Sequence, residues 1–178
     1  MSRNAQITRS VRIDRDVDEG LRRLAKDYGV SVNALSVRAI RRYAEWDSFA
    51  DKFGFVDMPS SIIGRMLGEL DDKQLAELGT WVGSTLLKEY VTFWFKEVNL
   101  ETVLEACPRL ISKYGRLFAY EERTDGARRT IILKHEGGPP ISAFYENVVK
   151  SAFAELLHIP VEVERMESQV VARFSAVG

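Results

Sequence analysis

The sequence predicts an α+β protein in two parts: a short strand–helix–helix head, and a body of three helical segments, two β-hairpins and an intervening helix. Three observations predict it. Within the first 28 residues the apolar period changes from two to 3.6. From residue 60 onward, helical stretches give way to paired alternating stretches separated by one further helix. Charge is also segregated. The 178 residues carry 25 Lys plus Arg and 26 Asp plus Glu, a net of −1. Residues 1–46 hold ten basic and six acidic residues, a net of +4, whereas residues 47–178 hold fifteen and twenty, a net of −5. A near-neutral total therefore hides a basic head on an acidic body, and the average says nothing against a nucleic-acid partner.

Composition excludes several classes. With 46% hydrophobic and 29% charged residues the chain is neither disordered nor collagen-like. A single cysteine, Cys107, allows no intrachain disulfide, and the polar stretch 1–10 lacks the apolar segment of a signal peptide. No apolar run approaches a membrane span, so the expected location is cytoplasmic, with no membrane partner.

In the head, Ile7-Thr8-Arg9-Ser10-Val11-Arg12-Ile13 alternates most clearly from Ser10 onward and predicts a strand. Period-two geometry puts Val11 and Ile13 on one face and Thr8, Ser10 and Arg12 on the other. Asp14 is a good N-cap, followed by Asp16, Asp18 and Glu19 where the helix dipole favours acids. Val17, Leu21, Leu24, Ala25 and Tyr28 give one apolar stripe, and Gly29 ends that helix. Ser31 or Asn33 caps a second helix with Leu35, Ala39, Ile40, Tyr43 and Ala44 on its apolar face, running to about Trp46. A lone strand has no partner for its backbone groups, and so short a head buries little. Two copies of residues 7–13 paired antiparallel solve both problems. The ribbon's polar side then fits the major groove, with Thr8, Ser10 and Arg12 within reach of base edges. The N–H groups at Ser31, Val32 and Asn33 suit a phosphate.

Residues 9–46 resemble a ribbon-helix-helix domain of the Arc and Met repressor type. The matching residues are Arg9-Ser10-Val11-Arg12-Ile13-Asp14, the turn Gly29-Val30-Ser31-Val32-Asn33, and the apolar positions of both helices. The resemblance implies a swapped two-stranded ribbon in a homodimer, with bases read by Thr8, Ser10 and Arg12 and phosphate held by Arg9, Ser31, Val32 and Asn33. Arg42-Tyr43-Ala44-Glu45-Trp46-Asp47 and Lys52-Phe53-Gly54-Phe55 resemble archaeal regulators that join such a head to a folded C-terminal domain. A helix-turn-helix would instead concentrate its contacts on Arg38, Arg41 and Arg42, and a pure dimerisation module would carry its charge incidentally.

The expected division is a head over 1–47, a connector over 48–59 whose aromatics Phe49, Phe53 and Phe55 pack on a domain, and a body over 60–178. In the body, Pro59-Ser60-Ser61 starts a helix to about Leu70. Asp71 or Asp72 caps a long one to about Val98, with Leu75, Leu78, Val82, Leu86, Tyr90, Phe93 and Trp94 inward and Trp81 and Phe95 widening that face. Gly79 and Gly83, four apart, permit close helix contact. Asn99 opens a third stretch to Tyr114 that Pro108 kinks or restarts. Strands over 116–123 and 129–135 flank a turn at Thr124–Ala127, and Gly137-Gly138-Pro139-Pro140 reads as a breaker. A helix over 141–158 and a hairpin, 161–166 with 169–175, complete the chain.

No enzyme, metal or cofactor signature emerges. Cys107, His135 and His158 do not lie at zinc spacing, the histidine and cysteine cluster of nickel-responsive regulators is missing, and no phosphate-binding loop appears. Glu121 and Glu122 point to opposite sheet faces and make no carboxylate pair. His135, Gly137 and Gly138 form the candidate effector or structural site: a pH-responsive contact with backbone N–H groups for an anion, or a histidine that fixes the strand-to-helix turn. His158 is expected to serve the helix C-terminus, and Cys107 to be a small buried apolar side chain. Tyr90, Phe93, Trp94, Phe118, Tyr120, Phe144 and Phe153 either line a pocket for a small-molecule effector or are core. The expectation is a transcriptional regulator, a repressor by its resemblance, bound to double-stranded DNA as a homodimer or tetramer. The alternative is an antitoxin-like protein whose body holds a partner protein.

Overall fold

The computed structural model describes residues 7–175, apart from the side chains of residues 105–107, so the expected burial of Cys107 lies outside the described residues. The chain divides into two units, Met1–Gly54 and Phe55–Gly178. Helix α1 (Arg15–Tyr28) follows extended Asp14, whose carbonyl accepts the Asp18 N–H at 3.0 Å, and Asp16 and Asp18 sit in its first turn. Gly29, at φ 63°, ends it in left-handed backbone that a side chain disfavours. Helix α2 (Val32–Arg42) does not stop near Trp46. A π-type turn, Tyr43–Asp47, carries it into α3 (Ser48–Phe53), so the first half of the expected connector is helical. The reason is local: residues 43–53 contain neither proline nor glycine, and Gly54 is the first breaker.

Helix α4 (Ser60–Gly68) opens the second unit's helical part. A capping box, Asp71 Oδ1 accepting from Gln74 N–H at 2.8 Å and Gln74 Oε1 from Asp71 N–H at 3.0 Å, starts α5 (Asp72–Trp81). A π-type turn, Val82–Leu86, joins it to α6 (Leu87–Phe95), which ends at left-handed Lys96, earlier than the expected Val98. Asn99 and Thr102 cap each other, both bonds 2.9 Å, and open a run through α7 (Cys107–Leu110) to Gly115. Pro108 does not break it. It falls in the first turn after a π-type segment, Thr102–Ala106, whose wider turns relieve the helix of the bond that proline cannot make.

Strands β1 (Ala119–Asp125) and β2 (Arg128–Lys134) pair antiparallel. Asp125 faces Arg128, so the hairpin loop is shorter than the expected Thr124–Ala127 turn. Helix α8 (Gly138–Ser151) starts ahead of the expected Ile141, because Pro139 and Pro140 occupy its first turn, where no intrahelical bond is lost. It continues through Ala152–Leu157 to left-handed His158, whose Nδ1 lies 3.0 Å from the Ala154 carbonyl. Strands β3 (Val161–Arg165) and β4 (Gln169–Ser175) complete an antiparallel sheet of order β1-β2-β4-β3. The architecture is α+β.

The core lies between one sheet face and the helices. Ile131, Leu133, Val170, Ala172 and Phe174 alternate onto that face and pack with Val149 and Phe153 of the α8 run, the Phe153 and Phe174 rings 4.7 Å apart and near edge-on. Helix α5 packs on α8, as the Gly79 and Gly83 spacing predicts. A Cβ on Gly83 would lie 2.1 Å from Ser151 Oγ and 2.3 Å from the Val148 carbonyl. Ser151 Oγ donates to the Thr80 carbonyl at 3.1 Å across this seam. Trp81 does not widen the buried face. It is 51% exposed, because two residues beyond Gly79 is about 200° around the helix. Several of the candidate pocket aromatics are packed on other rings: Tyr90 lies 5.9 Å from Trp94, while Phe118 and Phe144 both lie 5.3 Å from Tyr145.

Glu121 and Glu122 do point to opposite faces. Glu121 pairs with Lys134 and Arg123, whereas Glu122 meets Arg109 Nη2 at 3.1 Å and Arg129 Nε at 3.0 Å. The Tyr120 hydroxyl, 3.2 Å from Glu122 and 3.0 Å from the Leu104 carbonyl, completes a tie between the third helical stretch and the first hairpin. Burial raises the Glu122 carboxyl, but the Arg129 hydrogen bond and charge outweigh it and hold the group below its ordinary value of 4.5. An unfolded carboxylate takes its proton first, so this stabilisation is complete above about pH 4.5 and is lost as pH falls below it. Glu122→Gln is expected to flatten that part of the acid unfolding profile, measured by circular dichroism; an unchanged slope would refute the assignment.

Candidate functional site

In the described head, residues 7–14 belong to no strand. A strand is defined by a partner's ladder, and the first strand among the described residues starts at Ala119. The expected ribbon is therefore not present within a single copy. Thr8, Arg9, Ser10 and Arg12 are all exposed, and so are Val11 at 69% and Ile13 at 49%. The single chain does not separate a reading face from a buried one. Exposure continues along the expected apolar stripes, with Tyr28 at 65% and Ile40 and Tyr43 at 62%, while Ala25, Leu35 and Trp46 are buried.

Ser31 is the N-cap of α2, as expected, its Oγ accepting the Ala34 N–H at 3.1 Å. Val32 and Asn33 are the first two helical residues, whose N–H groups have no acceptor inside a helix. The head's cations fall into two sets. Arg15, Arg22, Arg41 and Arg42 pair with Glu19, Asp18, Glu45 and Asp47. Among the described residues no acidic side chain pairs with Arg9, Arg12, Arg23, Lys26 or Arg38.

His135, 8% exposed, sits where β2, α8 and the β3–β4 turn meet. Its Nε2 lies 2.9 Å from Ser142 Oγ, and its Nδ1 accepts the Gly137 N–H at 3.3 Å. Ser142 Oγ donates to the Glu167 carbonyl at 3.2 Å, and the His135 N–H donates to the Ser168 carbonyl at 2.9 Å. The Gly137 N–H is thus turned onto the imidazole and not outward toward an anion. Beside this joint lies an open groove of about 430 Å³, lined by Leu70, Asp72 and Leu75 of one segment, Pro139, Pro140 and Ala143 of α8, and Arg165, Met166 and Glu167. Sequence patterns single out His135 and its glycines but miss Ser142. That serine is fully buried, and the signal was weak: one hydroxyl at an inward-facing helix position.

Among the described residues no helix is long and apolar enough to cross a membrane, and no three His, Cys, Asp or Glu side chains gather as a metal site. No protein-family model matches the chain, and no curated protein matches it either.

Proposed function

We propose that the protein is a sequence-specific DNA-binding transcriptional regulator that acts as a homodimer, with residues 7–13 of two copies paired into a β-ribbon that enters the major groove. What supports this most is a basic, exposed segment that belongs to no strand among the described residues, beside an uncovered apolar stripe. Full burial of a large apolar side chain is worth about 1.5–3 kcal/mol. Val11, Ile13, Val17, Leu24, Tyr28, Ile40 and Tyr43 leave much of that unrealised in one copy. A second copy supplies the cover and the missing ladder together. Thr8, Ser10 and Arg12 then read bases, while Arg9 and the N–H groups at the start of α2 hold phosphate. Among the described residues neither Arg12 nor Arg38 has an acidic partner, whereas Arg41 and Arg42 are paired, so two of the three arginines that a second-helix reading would use are already engaged. The body serves assembly or effector sensing.

Selection of bound sequences from a random double-stranded pool tests this reading. A recovered motif with two half-sites, and an affinity that falls steeply with salt, are the expected outcomes. Recovery of no motif, with salt-insensitive or undetectable binding, would sink it. Ile13→Asp places a charge in the proposed dimer core. It is expected to give a monomer by sedimentation equilibrium and to abolish DNA binding; a dimer of unchanged affinity would contradict the arrangement.

A further inference from the structure

We propose that His135 is an acid-released clasp: a proton on its Nδ1 frees the first turn of α8 from the β3–β4 turn and opens the groove that the two line. The hydrogen-bond geometry fixes each proton. Ser142 has one hydroxyl hydrogen, and the Glu167 carbonyl, 3.2 Å away, can only accept it. Ser142 Oγ must therefore accept from His135, which puts the imidazole hydrogen on Nε2. Nδ1 is left with its lone pair, and the Gly137 N–H donates to it at 3.3 Å. The chain runs Gly137 to His135 to Ser142 to Glu167, and the Gly137 N–H keeps its acceptor only while the ring is neutral.

A second ring proton breaks that order. It would point at the Gly137 N–H, donor against donor, inside a site where His135 is 8% and Ser142 0% exposed. No charged neighbour offers relief. On β2 and the following turn these are Lys134, paired with Glu121, and Glu136, which is exposed. On α8 there is Glu146, paired with Lys150 and Arg165, and on the β3–β4 side there are Arg165 and exposed Glu167. Tyr145, its ring 5.6 Å from the imidazole, stays a neutral phenol because burial raises its pKa. Burial lowers the imidazole below its ordinary value of 6.5. Since the unfolded or opened ring binds the proton first, the closed joint keeps its full stability above about pH 6.5 and loses it as pH falls from there. The parts released are Pro139, Pro140 and Ala143 of α8 and Met166 and Glu167 of the β3–β4 turn, all of which line the groove.

The test is nuclear magnetic resonance of the full chain with labelled imidazole nitrogens. At neutral pH the His135 ring is expected as the Nε2–H tautomer. On acidification it should titrate below 6.5, with the amide signals of Gly137, Ser142 and Ser168 moving on the same midpoint. Above that midpoint, exchange of the Gly137 amide, corrected for its intrinsic rate, should rise with the protonated fraction, about tenfold per pH unit. Ser142→Ala keeps the ring but removes the link to Glu167, so its Gly137 amide should exchange at neutral pH as the acidified wild type does. The Nδ1–H tautomer, a midpoint at or above 6.5, amides that ignore the titration, or a protected Gly137 amide in Ser142→Ala would each overturn the clasp.

Discussion

Arg12→Ala is expected to weaken binding to the selected DNA site by about 2–6 kcal/mol, since a bidentate arginine–guanine pair discriminates by about 1–3 kcal/mol and a dimer presents it twice. That is roughly 30-fold to 10⁴-fold in affinity, with sequence preference relaxed at the two positions that Arg12 reads. The fold itself should be untouched, because Arg12 is exposed and has no acidic partner among the described residues. Arg9→Ala separates the two kinds of contact. A phosphate-bound arginine carries no sequence information, so its loss should weaken all sequences alike and make the salt dependence shallower. Anisotropy titrations at several salt concentrations read both effects. If Arg12→Ala keeps the wild-type affinity and preference, the ribbon does not read DNA.

The body was legible in the sequence where its signals are local. Asp71 or Asp72, Asn99, and the helical run of apolar residues between them place the helix starts, because caps and periodicity act over one or two turns; the structure adds Gln74 and Thr102 as the reciprocal partners of Asp71 and Asn99. Two hairpins with a helix between them follow from period-two alternation, and they meet in one antiparallel sheet. The misses are of another kind. Pro139-Pro140 reads as a breaker in isolation, yet the same residues are well suited to a first helical turn. Ser142 is polar in sequence and buried in the fold because its acceptor, the Glu167 carbonyl, lies 25 residues further on. The head sets a different limit. The ribbon proposed for it takes its second strand from another copy, and within one chain residues 7–14 belong to no strand and are exposed.

Gly83→Ala is expected to destabilise the protein by about 3 kcal/mol, at the upper end of overpacking costs, and to lower Tm by about 6–12 °C for a chain of this size. The added methyl would sit 2.1 Å from Ser151 Oγ and 2.3 Å from the Val148 carbonyl oxygen. These two contacts differ in how they can be relieved. Ser151 can rotate away, giving up its 3.1 Å bond to Thr80 at a cost of about 1 kcal/mol. The Val148 carbonyl cannot move without α8, and α8 with its continuation carries Val149 and Phe153 into the sheet core. Comparing Gly83→Ala, Ser151→Ala and the double variant by thermal unfolding therefore separates side chain from backbone. The double variant should recover only part of the loss, because the carbonyl clash persists. If it is as stable as Ser151→Ala alone, the α8 backbone yields at no cost, and glycine at 83 is not what sets the approach of these two helices.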